Sequence, residues 1–265
     1  LIDHDNLEEF ADPPTYDIED SSATGVAFYS ALAQETGGPV LELACGTGRV
    51  SIPIARLGFA VTGLDLVPGM LAQARRKSAN LPVRWVEGDA RAFDLGERFR
   101  LIFLTGNAFQ AFLTRPDQEA LLACVRTHLD DAGLFAFETR NPRWNILERR
   151  AVEPEGGFAF LETCDEEQAG RSYRDSRGHL VRASTTQRYD PITQILHWTT
   201  YRRWDEGAEE RTKITRIAVR FTFPQELAAL LHYNGFTLLR QYGDWNLEPL
   251  AATSPSIIAV CRKRN

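Results

Sequence analysis

"LELACGTGRVSIPIARLGFAVTGLDL", residues Leu41 to Leu66, decides how the rest of this 265-residue chain is read. An apolar run, "LELA", meets a glycine-containing turn, "CGTG". From Arg49 the apolar positions Val50, Ile54 and Leu57 recur at helical spacing until Gly58 stops the helix. A second apolar run, "AVTGLDL", then ends in Asp65. Strand, turn, helix and strand make a βαβ unit, the arrangement that holds a nucleotide-type cofactor.

The same alternation extends in both directions. Upstream, "ATGVAFYSALAQETGG" has helical spacing at Val26, Tyr29 and Leu32 and ends at Gly37-Gly38. Downstream come a helix in "PGMLAQARRKSA", strands in "VRWVEGD" and "FRLIFLTG", a helix in "PDQEALLACVRTHL", a turn from Asp131 to Gly133, and a strand in "LFAFET". After about Asn141 the texture changes. "EPEGG" reads as a linker, and residues from about 155 to 221 are rich in Thr, Val, Ile, Tyr and Trp, with turn signals at Asp190-Pro191 and Glu206-Gly207. An antiparallel meander is expected there. A helix in "FPQELAALLHYNGF" and an antiparallel pair, "TLLRQYG" and "SIIAVCRK", close the chain. The expected fold is α/β, a Rossmann-like seven-stranded, mostly parallel sheet with helices on both faces and an inserted antiparallel β meander. The expected divisions are an arm over residues 1–22, a cofactor-binding domain over 23–141 and 222–265, and an inserted subdomain over 142–221.

A net charge of −6 lacks the Lys and Arg excess that displaces counterions from a phosphate backbone, so a nucleic-acid partner is not expected. No apolar run approaches the length of a membrane span. The four cysteines, Cys45, Cys124, Cys164 and Cys261, form no Cys-x-x-Cys pair and lie near no histidine cluster, so neither a metal site nor a disulfide framework is expected and a reducing cytoplasm is the default. The start, "LIDHDNLEEFADPPTYDIED", reads as a flexible acidic lead-in.

Gly46 and Gly48 allow a tight turn and close approach of a ligand, and Asp65 stands where a ribose diol is accepted. NAD and S-adenosylmethionine are both served by these features. Three others separate them. Ser51 replaces the third glycine of a dinucleotide fingerprint. Glu42 adds a carboxylate that would repel a pyrophosphate but tolerate an ammonium group. Asp89, in "EGDARAF", brings another carboxylate to the same sheet edge, able to accept from an adenine amine. Each has a plainer reading too: Asp65 as a cap for the helix near Pro68, Glu42 as a partner of Arg49, Asp89 as a turn residue.

"VLELACGTGRVSIPIA", "GLDLVPGML", "EGDARAF" and "FRLIFLTGNAFQAF" resemble, in order and spacing, the first four motifs of class I S-adenosylmethionine-dependent methyltransferases. Within that superfamily the chain looks most like the small-molecule type that includes glycine, sarcosine and amino-sugar N-methyltransferases. The resemblance implies that Gly46 and Gly48, with the backbone near Ala44, contact the methionyl part, Asp65 the ribose, and Asp89 with Ala90 the adenine. It counts Glu42, Thr47, Arg49, Leu66 and Met70 among the residues that bind the donor. Thr105, Gly106 and Asn107 floor the site, and Tyr16 of "PTYDIED" stands near the sulfur. "TGNAF" departs from the Asn/Asp-Pro-Pro-Tyr pattern of many nucleic-acid adenine and glutamine methyltransferases, which with the acidic composition argues against DNA, RNA and that type of protein substrate.

The meander is expected to serve as a lid or as the surface of a homodimer. Its alternation puts Ile195, His197, Thr199 and Tyr201 on one face of a strand and Leu196, Trp198, Thr200 and Arg202 on the other. A neutral amine needs no strong base, whereas a hydroxyl acceptor wants a histidine or a carboxylate within hydrogen-bond reach. His197, His179 and Tyr201 are therefore candidates only for an oxygen acceptor, and spacing marks no catalytic base. The competing readings are an NAD-dependent oxidoreductase and a non-catalytic S-adenosylmethionine-binding module. In a thermal-shift comparison, S-adenosylmethionine and S-adenosylhomocysteine are expected to raise the melting temperature and NADH to leave it unchanged; the reverse would restore the oxidoreductase.

Overall fold

The computed structural model describes residues 6–143 and 164–264. They divide into two compact units, Ser22–Asn141 with Thr222–Asn265, and the described parts of Leu1–Ser21 with Pro142–Phe221. The linker read at "EPEGG" lies outside the described residues.

With elements numbered in chain order, the larger unit contains strands β1 (Val40–Leu43), β2 (Val61–Asp65), β3 (Val83–Glu87), β4 (Phe99–Leu104), β5 (Leu129–Arg140), β10 (Phe236–Tyr242) and β11 (Ser256–Lys263). Its helices are α2 (Val26–Thr36), α3 (Ser51–Arg56), α4 (Pro68–Lys77), α5 (Arg115–His128) and α6 (Pro224–Tyr233). The strands form one seven-stranded sheet in the order β10-β11-β5-β4-β1-β2-β3. β1 to β5 pair in parallel, and β11 runs antiparallel to both β5 and β10. Strand order reverses between β1 and β4, where open α/β sheets place a ligand beyond the carboxyl ends.

Side chains alternate between the faces of a strand, and here the alternation sorts two cores. Val40, Leu101, Phe103 and Ala136 pack with Tyr29 and Leu32 of α2 and Ile54 of α3. Leu41, Leu43, Ile102, Leu104, Phe135 and Phe137 pack on the other face with Leu121 and Val125 of α5 and Leu227 and Leu231 of α6. Glu42, Asp65 and Glu138 fall in register with the first set. Glu42 is opposite Gly63 on one side and Phe103 on the other, and Phe103 is opposite Ala136. Asp65 on β2 and Glu138 on β5 therefore stand two residues nearer the carboxyl edge than Glu42, on the same face.

The expected turn from Asp131 to Gly133 is instead an irregularity inside β5. Leu129 pairs with Phe99 and Leu134 with Leu101, so the residues between are extra on the β5 side. The strand continues through them because both flanks are pinned by the buried side chains of Leu129 and Leu134.

The smaller unit is an antiparallel sheet of β6 (Cys164–Arg174), β7 (Leu180–Asp190), β8 (Ile195–Glu206) and β9 (Glu209–Arg220), in sequence order, with helix α1 (Pro13–Glu19). From residue 6 on, the acidic start is not a flexible lead-in. After a short 3-10 turn at Glu8–Phe10, Asp12 caps α1 by accepting from the Thr15 N–H at 3.2 Å. Its acidic side chains find arginines of the sheet: Arg202 bonds Glu9 at 2.6 Å and Glu19 at 2.7 Å, and Arg216 bonds Glu8 at 2.7 Å. Burial raises the Glu19 pKa, but the hydrogen bonds and charge of Arg202, with Tyr173, outweigh it and hold the carboxyl below its ordinary value. Removing one member of a buried charge network leaves the others unpaired. Arg202→Ala is expected to cost about 2–4 kcal/mol in urea unfolding and to expose the segment before Ser21 to protease; unchanged unfolding and cleavage would show that the network is dispensable.

Candidate active site

The turn after β1 rises through three left-handed residues, Ala44 (φ 52°), Gly46 (φ 54°) and Gly48 (φ 78°). The two glycines serve different ends. A Cβ at Gly48 would meet Trp85 Cη2 at 2.6 Å, so this position makes room for the indole of β3. A Cβ at Gly46 would find only Met70 Cε, at 3.5 Å, so the turn is left open above it. Ala44 lacks the freedom of glycine and holds a conformation that costs an L-residue energy, as backbone at ligand sites often does. Thr47 is buried and accepts from Lys77 Nζ at 2.9 Å.

Asp65 fixes this turn to β2. Its Oδ2 accepts the Gly46 N–H at 2.7 Å and its Oδ1 accepts the Val67 N–H at 2.9 Å. Burial raises its pKa, opposed by the N–H groups of Val67, Gly46 and Leu66. Each carboxylate oxygen has more than one lone pair, so both can take a further hydrogen bond. Leu66 beside it is 47% exposed, an apolar surface next to an acceptor.

Glu42 is fully buried beneath the turn, and its Oε2 accepts the N–H of Ser51 at 2.9 Å and the hydroxyl at 2.5 Å. Arg49, the partner considered for it, instead donates to the carbonyls of Ser22 and Thr24 at 3.1 and 2.7 Å and to Thr105 Oγ1 at 3.3 Å. Burial pushes the Glu42 carboxyl up to about 8, against the Ser51 hydrogen bonds and the Arg49 charge. A buried carboxyl therefore occupies the first N–H of α3, the group that would meet an anionic pyrophosphate in a dinucleotide site.

Asp89 lies past β3 with its carboxylate in the fork of Arg91, at 2.6 Å, and Arg91 reaches on to Asp117 at 2.7 Å. Ala90 is buried beside it. Past β4, Thr105 is buried, Gly106 is exposed, and Asn107 adopts a left-handed φ of 59°. Its N–H donates at 3.1 Å to Oε1 of Glu138, a buried carboxyl on the last turn of β5 that motif matching passed over. The signal was present in "LFAFET", where alternation puts Glu138 on the face of Leu134 and Ala136 at the strand's carboxyl end.

The remaining candidates belong to the smaller unit. Tyr16 on α1 packs its ring 5.8 Å from Phe10 and donates to Asp20 Oδ2 at 3.2 Å. His179 sits in the β6–β7 hairpin, where Asp175 accepts its N–H at 2.8 Å and lies 3.1 Å from Nδ1. His197 and Tyr201 are mid-strand on β8, opposite Arg188 and Ser184, and Arg203 lies 5.2 Å over the Tyr201 ring. Among the described residues no His, Cys, Asp and Glu cluster could hold a metal ion.

Residues 40–133 match the family model described as a methyltransferase domain. The "Putative methyltransferase YqeM" of Bacillus subtilis is 30% identical over 220 residues, spanning 81% of this chain and 80% of that protein. The chain belongs to the class I S-adenosylmethionine-dependent methyltransferases. Solved structures share the fold of this methyltransferase: CcbJ of Streptomyces caelestis at a TM-score of 0.78 and 22% identity, covering 99% of this chain and 100% of that one. CalS10, an amino pentose methyltransferase of Micromonospora echinaspora, has a TM-score of 0.68 at 20% identity, covering 94% and 95%.

The methyltransferase's own residues fit its donor. The open space above Gly46, the spare lone pairs of Asp65 and the exposed Leu66 suit an adenosine. A raised carboxyl pKa makes the folded state the better proton binder, so its contribution to stability is complete below the unfolded value of 4.5 and is lost as pH rises through about 8. Glu42→Gln is expected to flatten this decline and to exceed wild type at pH 8 by about 2 kcal/mol, read from urea melts at pH 5 and 8. Parallel pH profiles for the two proteins would refute the assignment.

Proposed function

We propose that this methyltransferase carries the methyl group of S-adenosylmethionine to an amine nitrogen of a small metabolite. The observation that carries the donor half is the Gly46 turn pinned by Asp65, with the adjacent α3 N–H already taken by Glu42. That pattern accepts a diol and a cation and offers no free helix terminus to a pyrophosphate. Asp65 would hold the ribose hydroxyls, and the Ala44–Gly48 turn the methionyl part. Leu66, Met70 and Ala90 would line the adenine, with Asp89 as acceptor for its amine.

The donor supplies an already activated methyl group, so the protein mainly orients the acceptor and excludes water. Among the described histidines of the larger unit, none is placed as the base an oxygen acceptor would need. His128 is spent between the Cys124 carbonyl at 2.9 Å and the Leu95 N–H at 3.2 Å, and His232 lies against Tyr233 and Arg264. Neither is available as the base a hydroxyl needs. The amino pentose acceptor named for CalS10 points the same way. An acidic chain favours a small neutral or cationic substrate over nucleic acid. The thiols of Cys45, Cys124 and Cys261 are free, which suits a reducing cytoplasm, and among the described residues no helix is long and apolar enough to cross a membrane.

Asp65→Ala is expected to weaken S-adenosylmethionine binding by about 1–3 kcal/mol, roughly 5- to 150-fold in Kd by calorimetry. The circular dichroism spectrum should stay that of wild type. Full affinity in the variant would reduce Asp65 to a turn residue and remove the donor site from this sheet edge.

A further inference from the structure

Two strands away from the Gly46 turn, the larger unit carries a second pair of buried polar atoms without partners. Glu138 is 5% exposed, and one of its oxygens accepts the Asn107 N–H at 3.1 Å. Its other oxygen, Oε2, is buried with no partner, and so is Oδ1 of Asn107. Buried polar atoms are seldom left unpaired in a protein that has no use for them. The two orphans belong to neighbouring side chains, both are acceptors, and the backbone N–H of Asn107 ties one side chain to the other.

The surroundings keep this pair from collapsing onto itself. Arg140, the nearest strand cation, gives Nη1 to Gln110 Oε1 at 2.7 Å, and Arg49 is committed to Ser22, Thr24 and Thr105. The Tyr29 hydroxyl donates to the Leu104 carbonyl at 2.8 Å, and its ring stacks on Phe103 at 4.5 Å. Asp65 and Glu138 are separated by β1 and β4, three strand spacings or about 14 Å.

We propose that Glu138 and Asn107 form the acceptor subsite, in which Oε2 and Oδ1 receive the two N–H hydrogens of a neutral primary amine. This rests on the methyltransferase reading above and names the class of its acceptor. Both N–H bonds are then occupied, and the lone pair is the only part of the nitrogen left free to react. The nitrogen forms its new bond to carbon with that lone pair, while the electrons of the broken methyl–sulfur bond stay on sulfur. The nitrogen becomes a cation carrying two hydrogens, faces the Glu138 carboxylate, and leaves as an ammonium that loses its proton to water. A secondary amine still offers one hydrogen to Glu138; a neutral tertiary amine offers none and is not an acceptor. Burial pushes the Glu138 carboxyl up to about 7, against the N–H groups of Asn107 and Gly106 and the charges of Arg49 and Arg140, so its acceptor form is lost just below neutral pH.

The test uses the full chain. First, crystals of the S-adenosylhomocysteine complex are soaked with benzylamine, glucosamine and cyclohexylamine; an amine nitrogen within hydrogen-bond distance of both Glu138 and Asn107 is expected. No amine there, or one bound only elsewhere, overturns the proposal. Second, Glu138→Gln, which sets N–H donors against the amine, and Asn107→Gly, which keeps the left-handed backbone, are compared with wild type. Each should lower kcat/KM for amines by about 10- to 100-fold, with donor Kd unchanged in Glu138→Gln, and the fall of kcat below pH about 7 should vanish in Glu138→Gln. If donor Kd rises tenfold and acceptor kinetics do not change, Glu138 belongs to the donor and this inference fails while the methyltransferase reading survives. If wild type binds no S-adenosylmethionine, the earlier reading itself falls.

Discussion

The hydrogen bond from the Gly46 N–H to the Asp65 carboxylate, 2.7 Å long, ties the turn after β1 to the tip of β2. The turn is left-handed at three positions, and such backbone holds its shape only when the surroundings dictate it. Asp65 dictates it from one side, Trp85 fills the space beside Gly48, and Glu42 binds the start of α3 from below. With these three in place the loop is set before any ligand arrives. That matters for an enzyme whose chemistry is mostly alignment.

The cost of this arrangement is electrostatic. Glu42, Asp65 and Glu138 share one face of the sheet, and burial raises the pKa of each. The group differs by depth. Glu42, deepest, has its carboxyl pushed up to about 8 and acts as a structural hydrogen-bond partner of Ser51, whereas Asp65 and Glu138 stand nearer the carboxyl edge. A cationic donor relieves the accumulated acceptors, and so would the amine proposed above as it becomes cationic.

Much of this was open to reading in the one-dimensional pattern. The alternation of apolar runs with helical spacing located the seven strands, because parity and the period of 3.6 are local properties of the chain. The glycine turn, Asp65 and the run of four motifs identified the family for the same reason. The acidic amino-terminal segment was misjudged because its order comes from Arg202 and Arg216, nearly two hundred residues away. The interruption at Asp131 was read as a turn because Asp and Gly favour one locally, while the neighbouring strand holds β5 through it.

The order of strand types, the identity of the ligand turn and the carboxylate at its far end follow from sequence alone, since each depends on residues a few positions apart. Which carboxylates share a face, how burial raises the pKa of each, and which oxygens are left without partners were decided by tertiary structure. Burial and register across four strands set those properties, and neither is written in any short stretch of chain. Glu138 shows the difference: its alternation was visible in "LFAFET", but only the meeting of β5 with the loop after β4 brings it to Asn107.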